Sequence, residues 1–171
     1  MSGSKSSDYL KECIADALLV LIKDKSIEKV TVDELIKKAG VGRATYFRAF
    51  NSKSEAITFK FIKMWERYAE LNDLEVRDRF DIRNARDFFE YNYSIRHILD
   101  IVYSAGLQEA LHDSFYQIMV HVEQESGHRS YRESFFAHGL YGLLDEWIRR
   151  GYTESPEEMA GILNEIVAIK S

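Results

Sequence analysis

Apolar side chains return every three or four positions along almost the whole chain, which is the spacing of one face of an α-helix. Leu10, Ile14, Ala17, Leu18 and Leu21 form the first stripe and predict a helix over about 8–23. Leu35, Ile36 and Ala39 form a short second stripe. Ile57, Phe61, Met64, Trp65 and Tyr68 form a long one that starts near residue 52 and runs past 70. The pattern fades through 72–83, a charged stretch read as a linker or loose turn. It returns in ARDFFEYNY, SIRHILDIVYSAG and LQEALHDSFYQIMVHVE, with Gly106 between two of the helices. Residues 124–129 are polar and read as a loop. A helix over about 130–150 then carries Phe135, Phe136, Gly139, Leu140, Leu143, Leu144, Trp147 and Ile148 on a wide face. The last helix opens with Ser155 as cap, Pro156 at the first helical position and Glu157 and Glu158 behind it. No alternating run reaches strand length. The chain is read as all-α with about nine helices, a small N-terminal module followed by a helical bundle.

The module is organised around 31–53. Thr31 followed by Glu34 is a capping box, in which hydroxyl and carboxylate each take a backbone N–H. Gly40 stands where a left-handed residue ends a helix without a Cβ clash. Gly42 then leads into a second short helix, about 43–50. Ser52 and Glu55 form another capping box at the start of the third. Helix, short glycine turn, helix is the geometry of a helix-turn-helix, whose second helix lies in a DNA major groove. This divides the chain into a flexible tail (1–7), a helix-turn-helix domain (8–53) and a second helical domain (54–171).

Composition changes this picture little. The net charge of −5 speaks against a nucleic-acid binder, but it is unevenly spread. Residues 1–60 hold 11 Lys and Arg against 8 Asp and Glu, whereas the rest hold 12 against 20. A basic end on an acidic body can hold a phosphate backbone locally. The single cysteine, Cys13, allows no internal disulfide and fits a reducing, cytoplasmic setting. No apolar run has the length of a membrane span, and no signal-peptide core is present.

The stretch VDELIKKAGVGRATYFRAFNSKSEAI, from Val32 to Ile57, resembles the DNA-binding domain of TetR-family transcriptional regulators, and the resemblance extends over 10–60. Turn glycine, aromatics of the second helix, closing Phe50 and the following Ser-Lys are in register. The segments ILDIVYSAG and FFAHGLYGLLDEWIRRGYTESPEEM resemble a subgroup that includes activators and repressors, some of them answering to a protein partner. In the second helix, Arg43, Ala44, Thr45 and Arg48 are the groove candidates, with Tyr46 either beside them or packed inward. Arg43 suits guanine O6 and N7 or a phosphate, and Thr45 a phosphate or thymine methyl. The resemblance implies a phosphate contact for Lys53. Thr31 and Val32 offer backbone amides to another phosphate. Three positions depart from the family pattern. Phe47 replaces a tyrosine that donates to a phosphate, Ala49 replaces a His or Tyr, and Gly42 replaces a capping Ser.

Helix-turn-helix proteins gain by reading two half-sites of a palindrome as dimers. The last two helices are the expected homodimer surface, through Phe136, Leu140, Leu143, Leu144, Trp147, Met159, Leu163 and Ile166. An effector pocket for a small apolar ligand is expected around Trp65, Tyr68, Phe89, Tyr103, Phe115, Tyr116 and Met119, though aromatics at helical spacing are more often the mark of a packed core. Neither a metal-binding spacing nor a nucleophile or phosphate-loop motif occurs, so no metal, cofactor or enzymatic activity is expected. His121, Glu123, Glu125 and His128 gather near one loop but read as a solvated surface. The function expected is a homodimeric repressor on a palindromic operator in double-stranded DNA, released by a small apolar ligand. The alternative is a helical interaction protein or coregulated activator set by a protein partner.

Overall fold

The computed structural model describes residues 2–74, 85–119 and 127–168. Among these residues there are nine α-helices, one 3-10 turn and no strand. In chain order they are α1 (Ser2–Leu21), the 3-10 turn (Ile27–Lys29), α2 (Val32–Ala39), α3 (Arg43–Ala49), α4 (Lys53–Leu71), α5 (Ala85–Ser94), α6 (Arg96–Ser104), α7 (Gln108–Met119), α8 (Gly127–Arg149) and α9 (Pro156–Ala168). Two boundaries differ from expectation. α1 begins at Ser2, so helix covers the stretch read as a tail: no proline interrupts it, and a strong amphipathic body propagates helix towards the N-terminus. α8 begins at Gly127 and takes in part of the expected polar loop. Residues 75–84, which take in most of the linker expected over 72–83, lie outside the described residues, as do 120–126, which include His121, Glu123 and Glu125, and the side chain of His128.

The chain divides into two compact units, Met1–Met64 with Asp100–Ile118, and Trp65–Leu99 with Met119–Ser171. The division falls inside α4 and α6 and at the last residue of α7, not at the 53/54 boundary drawn from the sequence. In the first unit α1 packs on α2 and α3, and these two on each other. Ile14, Leu18, Ile22, Val30, Leu35, Tyr46 and Phe50 are buried there. α4 adds Ala56, Ile57 and Phe61 to the buried set. The hydroxyl of Thr58, also buried, donates to the Ala110 carbonyl of α7 at 3.2 Å. Lys60 pairs with Asp16 at 2.6 Å, tying α4 to α1.

In the second unit α9 packs along α5. Trp147, at 1% exposure, is its central side chain. Its ring meets Phe89 at 5.5 Å and Tyr152 at 5.3 Å, both edge-on, and stacks with Tyr93 at 6.0 Å. Its indole N–H donates to the Glu154 carbonyl at 3.0 Å, across the turn between α8 and α9. Gly151 makes that turn at φ 70°, and Tyr152 follows at φ 57°. Ser155 then caps α9: its hydroxyl accepts from Glu158 N–H at 3.2 Å, and the Glu158 carboxylate accepts from Ser155 N–H at 2.7 Å. These bonds hold the Glu158 carboxyl below the usual carboxylate range.

Candidate nucleic-acid interface

The turn that presents α3 is built from local rules. The Thr31 hydroxyl accepts from Glu34 N–H at 3.2 Å and starts α2. Lys25 donates to the Glu34 carboxylate, and this bond, ahead of the Thr31 backbone, lowers the Glu34 pKa. Gly40 closes α2 at φ 67°, the left-handed conformation that a Cβ would strain. Its N–H and that of Val41 both donate to the Ile36 carbonyl. Gly42 then caps α3 in an extended conformation without a side-chain bond. Ser52 begins α4 by accepting from Glu55 N–H at 3.0 Å. The Glu55 carboxylate does not close the expected box on Ser52. It accepts instead from Asn51, from the backbone N–H at 2.7 Å and the side-chain amide at 3.1 Å.

α3 spans seven residues and shows two faces. Arg43, Ala44, Phe47 and Arg48 are exposed together, Thr45 is half-buried, and Tyr46 and Phe50 face the core. Tyr46 therefore leaves the set of groove residues. Its ring is 2% exposed, and burial, then the Glu55 charge, raises its phenol pKa. Its place on the outward surface belongs to Phe47, 55% exposed. The helical period allowed either aromatic to point out, and only the packing of α3 on α1 and α2 decides between them. Arg43 is also less independent than expected, because its guanidinium donates to the Asp33 carboxylate of α2 at 2.7 Å. Sequence reasoning missed that partner, although Asp33 lies two residues from the Thr31 cap of α2. Arg43 also stands 5.8 Å from the centroid of the Phe47 ring.

Lys53 does not present its ammonium to an incoming phosphate. Nζ donates to the carbonyls of Ile27 and Val30, both at 2.7 Å, and the side chain is half-buried. These are carbonyls of the 3-10 turn and its C-cap, and that of Ile27 also accepts from the Val30 N–H at 3.2 Å. Thr31 is exposed and Val32 half-buried at the start of α2, and the Thr31 N–H is engaged by the Glu34 carboxylate.

The expected pocket residues are divided between the units. Trp65, Tyr68 and Phe89 lie in the second, Tyr103, Phe115 and Tyr116 in the first, and Met119 begins the second unit's later segment. Phe89, Trp65, Phe115 and Met119 are buried, whereas Tyr116 is 40% exposed. Trp65 lies 5.7 Å from Tyr68 and 5.0 Å from Tyr91, and Tyr68 lies 4.8 Å from Tyr91. These rings pack on one another. Among the described residues none hydrogen-bonds the Tyr91 hydroxyl, although the side chain is buried. Desolvation, then the nearby Tyr68, raises its phenol pKa. A buried hydroxyl without a partner costs stability. Tyr91→Phe is therefore expected to stabilise the protein by about 1 kcal/mol, raising Tm by roughly 2–4 °C. A thermal melt in which the variant is less stable than the parent would show that the hydroxyl is satisfied.

The expected dimer residues are also sorted by the structure. Leu140, Leu144, Trp147, Met159 and Leu163 are buried within their own chain and cannot form a subunit surface. Phe136 and Leu143 are half-buried, and Ile166 is 47% exposed. The wide apolar face of α8 has two sides, and the inner one closes the core of the second unit. The exposed apolar set on α8 and α9 is instead Tyr131, Phe135, Ile162, Ile166 and Val167. Gly139 and Gly142 on α8, and Gly161 on α9, are exposed with nothing within 4 Å of a would-be Cβ.

Among the described residues no group of three metal-type side chains comes together, and no helix is long and apolar enough to cross a membrane. Residues 14–55 match a family model described as bacterial regulatory proteins, tetR family. Residues 83–168 match a second, described as transcriptional regulator C-terminal region. No curated protein matches the chain.

Proposed function

The chain belongs to the TetR family of DNA-binding transcriptional regulators, and from that premise we propose that it is a homodimeric repressor that binds a palindromic operator through α3. The observation that carries this reading is the joint exposure of Arg43, Ala44, Phe47 and Arg48 on one face of α3, beside the left-handed turn at Gly40. Arg48 and Arg43 supply positive charge, and the N-terminus of α2 at Val32, beyond the capped Thr31, offers an amide to a phosphate. A helix of seven residues gives few contacts, so pairing two copies on two half-sites supplies the remaining affinity. The surface for pairing is the exposed apolar set Tyr131, Phe135, Ile162 and Ile166, with Gly139, Gly142 and Gly161 allowing close helix approach.

Release follows if a small apolar ligand binds the protein better in the state that does not fit the operator. A second reading is favoured by the mutual packing of Trp65, Tyr68 and Tyr91. A cluster filled by its own rings suits control by a protein partner in place of a ligand.

One experiment addresses these points. A duplex selected from a random library is titrated with the full chain over a range of salt. The expected result is a palindromic consensus, a 2:1 protein-to-duplex ratio, and affinity that falls steeply with salt, each neutralised phosphate adding about −0.9 to the log–log slope. Selection of no consensus, with flat salt dependence, would remove the DNA-binding reading. A panel of apolar compounds added to the same titration tests release, and unchanged affinity throughout would favour the partner-controlled reading.

A further inference from the structure

The centre of the α3 surface is apolar. Ala44 and Phe47 lie one turn apart and are both exposed, with Arg43 and Arg48 beside them. The helix neighbours Tyr46 and Phe50, and Leu35 of α2, are at most 3% exposed, whereas Phe47 is at 55%. An aromatic ring left in water on a short helix forgoes the gain of burial until something covers it. The ring is also supported. It meets Tyr46 edge-on, with centroids 5.1 Å apart, and Arg43 stands over it. Arg43 in turn is engaged by Asp33, so its guanidinium comes to a base edge already shared.

The major groove presents one apolar feature, the C5 methyl of thymine, and alanine and phenylalanine are side chains that contact it. The cytosine edge at the same place carries no methyl. Arginines on both sides of an apolar centre complement a groove whose rims are phosphates and whose floor carries that methyl. We propose that Ala44 and Phe47 form an apolar reading surface that selects thymine in each half-site through its methyl group. Phe47 is then a specificity-determining residue, although it has no hydrogen-bonding atom. The inference rests on the DNA-binding reading above.

The test deletes the methyl and nothing else. In the duplex selected with the full chain, each thymine is replaced in turn by deoxyuridine, which leaves pairing and charge unchanged. At one or two positions per half-site, affinity is expected to fall about threefold to fivefold, the scale of one buried methyl-sized group. Phe47→Ala should bind the thymine duplex more weakly and respond much less to deoxyuridine at those positions. Helical circular dichroism and Tm of this variant should match the parent, because the ring is exposed. The proposal is overturned if no thymine responds to deoxyuridine, or if the response is undiminished in Phe47→Ala. Tight, salt-dependent binding with no methyl effect overturns this inference alone. Failure to bind any selected duplex overturns the DNA-binding reading and this inference together.

Discussion

Trp147→Ala is expected to cost about 3–5 kcal/mol of stability, the range for removing a fully buried aromatic ring. Total stability of a domain is about 5–15 kcal/mol, so this loss consumes a large part of it. Three effects act together at this side chain. The cavity would sit between Phe89, Tyr93 and Tyr152, none of which can fill it without leaving its own contacts. The Glu154 carbonyl loses the indole donor that spans the α8–α9 turn. The left-handed Tyr152 backbone loses a ring that helps to hold it in place. Trp147→Phe keeps most of the ring volume and drops the hydrogen bond, and should cost about 1–2 kcal/mol. Urea denaturation followed by circular dichroism measures both. Since α8 and α9 carry the proposed pairing surface, sedimentation of Trp147→Ala should also show a shift towards monomer. A loss below about 1 kcal/mol would mean that the site collapses around the smaller side chain and that the ring cluster is not central.

Lys53→Met is expected to destabilise the protein by about 2–3 kcal/mol, because two carbonyls lose a charged donor while the aliphatic stem is kept. The same variant separates two roles for this lysine. If Nζ were a phosphate ligand, the salt slope for DNA binding would fall by about 0.9 and stability would be unchanged. As a clasp between α4 and the 3-10 turn, it should instead lower stability and leave the slope nearly as it was. DNA affinity would then fall because the frame around α3 loosens. A measured slope change with parent-like denaturation would reverse the assignment.

Features fixed by neighbouring residues were readable in the sequence. The Thr31 cap, the Gly40 turn, the break at Gly106 and the Ser155-Pro156 start of α9 all depend on chemistry within about four residues, so periodicity and turn rules find them. What the sequence concealed is set by distant partners. Lys53 finds its acceptors 23 and 26 positions upstream, and no local pattern announces them. Tyr46 and Phe47 are adjacent aromatics on a helix of seven residues, too short for periodicity to separate inside from outside. On α8 a wide apolar face signalled burial correctly but could not say what buries it. Leu140, Leu144 and Trp147 are covered by their own chain, while Tyr131 and Phe135 remain outside. The Arg43–Asp33 pair joins two short helices across the turn, and its separation of ten positions follows no helical period.

The clasp made by Lys53 also places an unequal burden on the two sides of one contact. Its acceptors are main-chain carbonyls, which every amino acid supplies. Substitutions at Ile27 therefore leave that acceptor in place and are filtered only by what the side chain itself packs against. The donor has no such latitude, since a long cationic side chain is needed to reach both oxygens. Drift along the segment before α2 can thus be wide in identity while position 53 stays narrow, and a comparison of related chains that weighed only side-chain partners would find the lysine fixed opposite nothing.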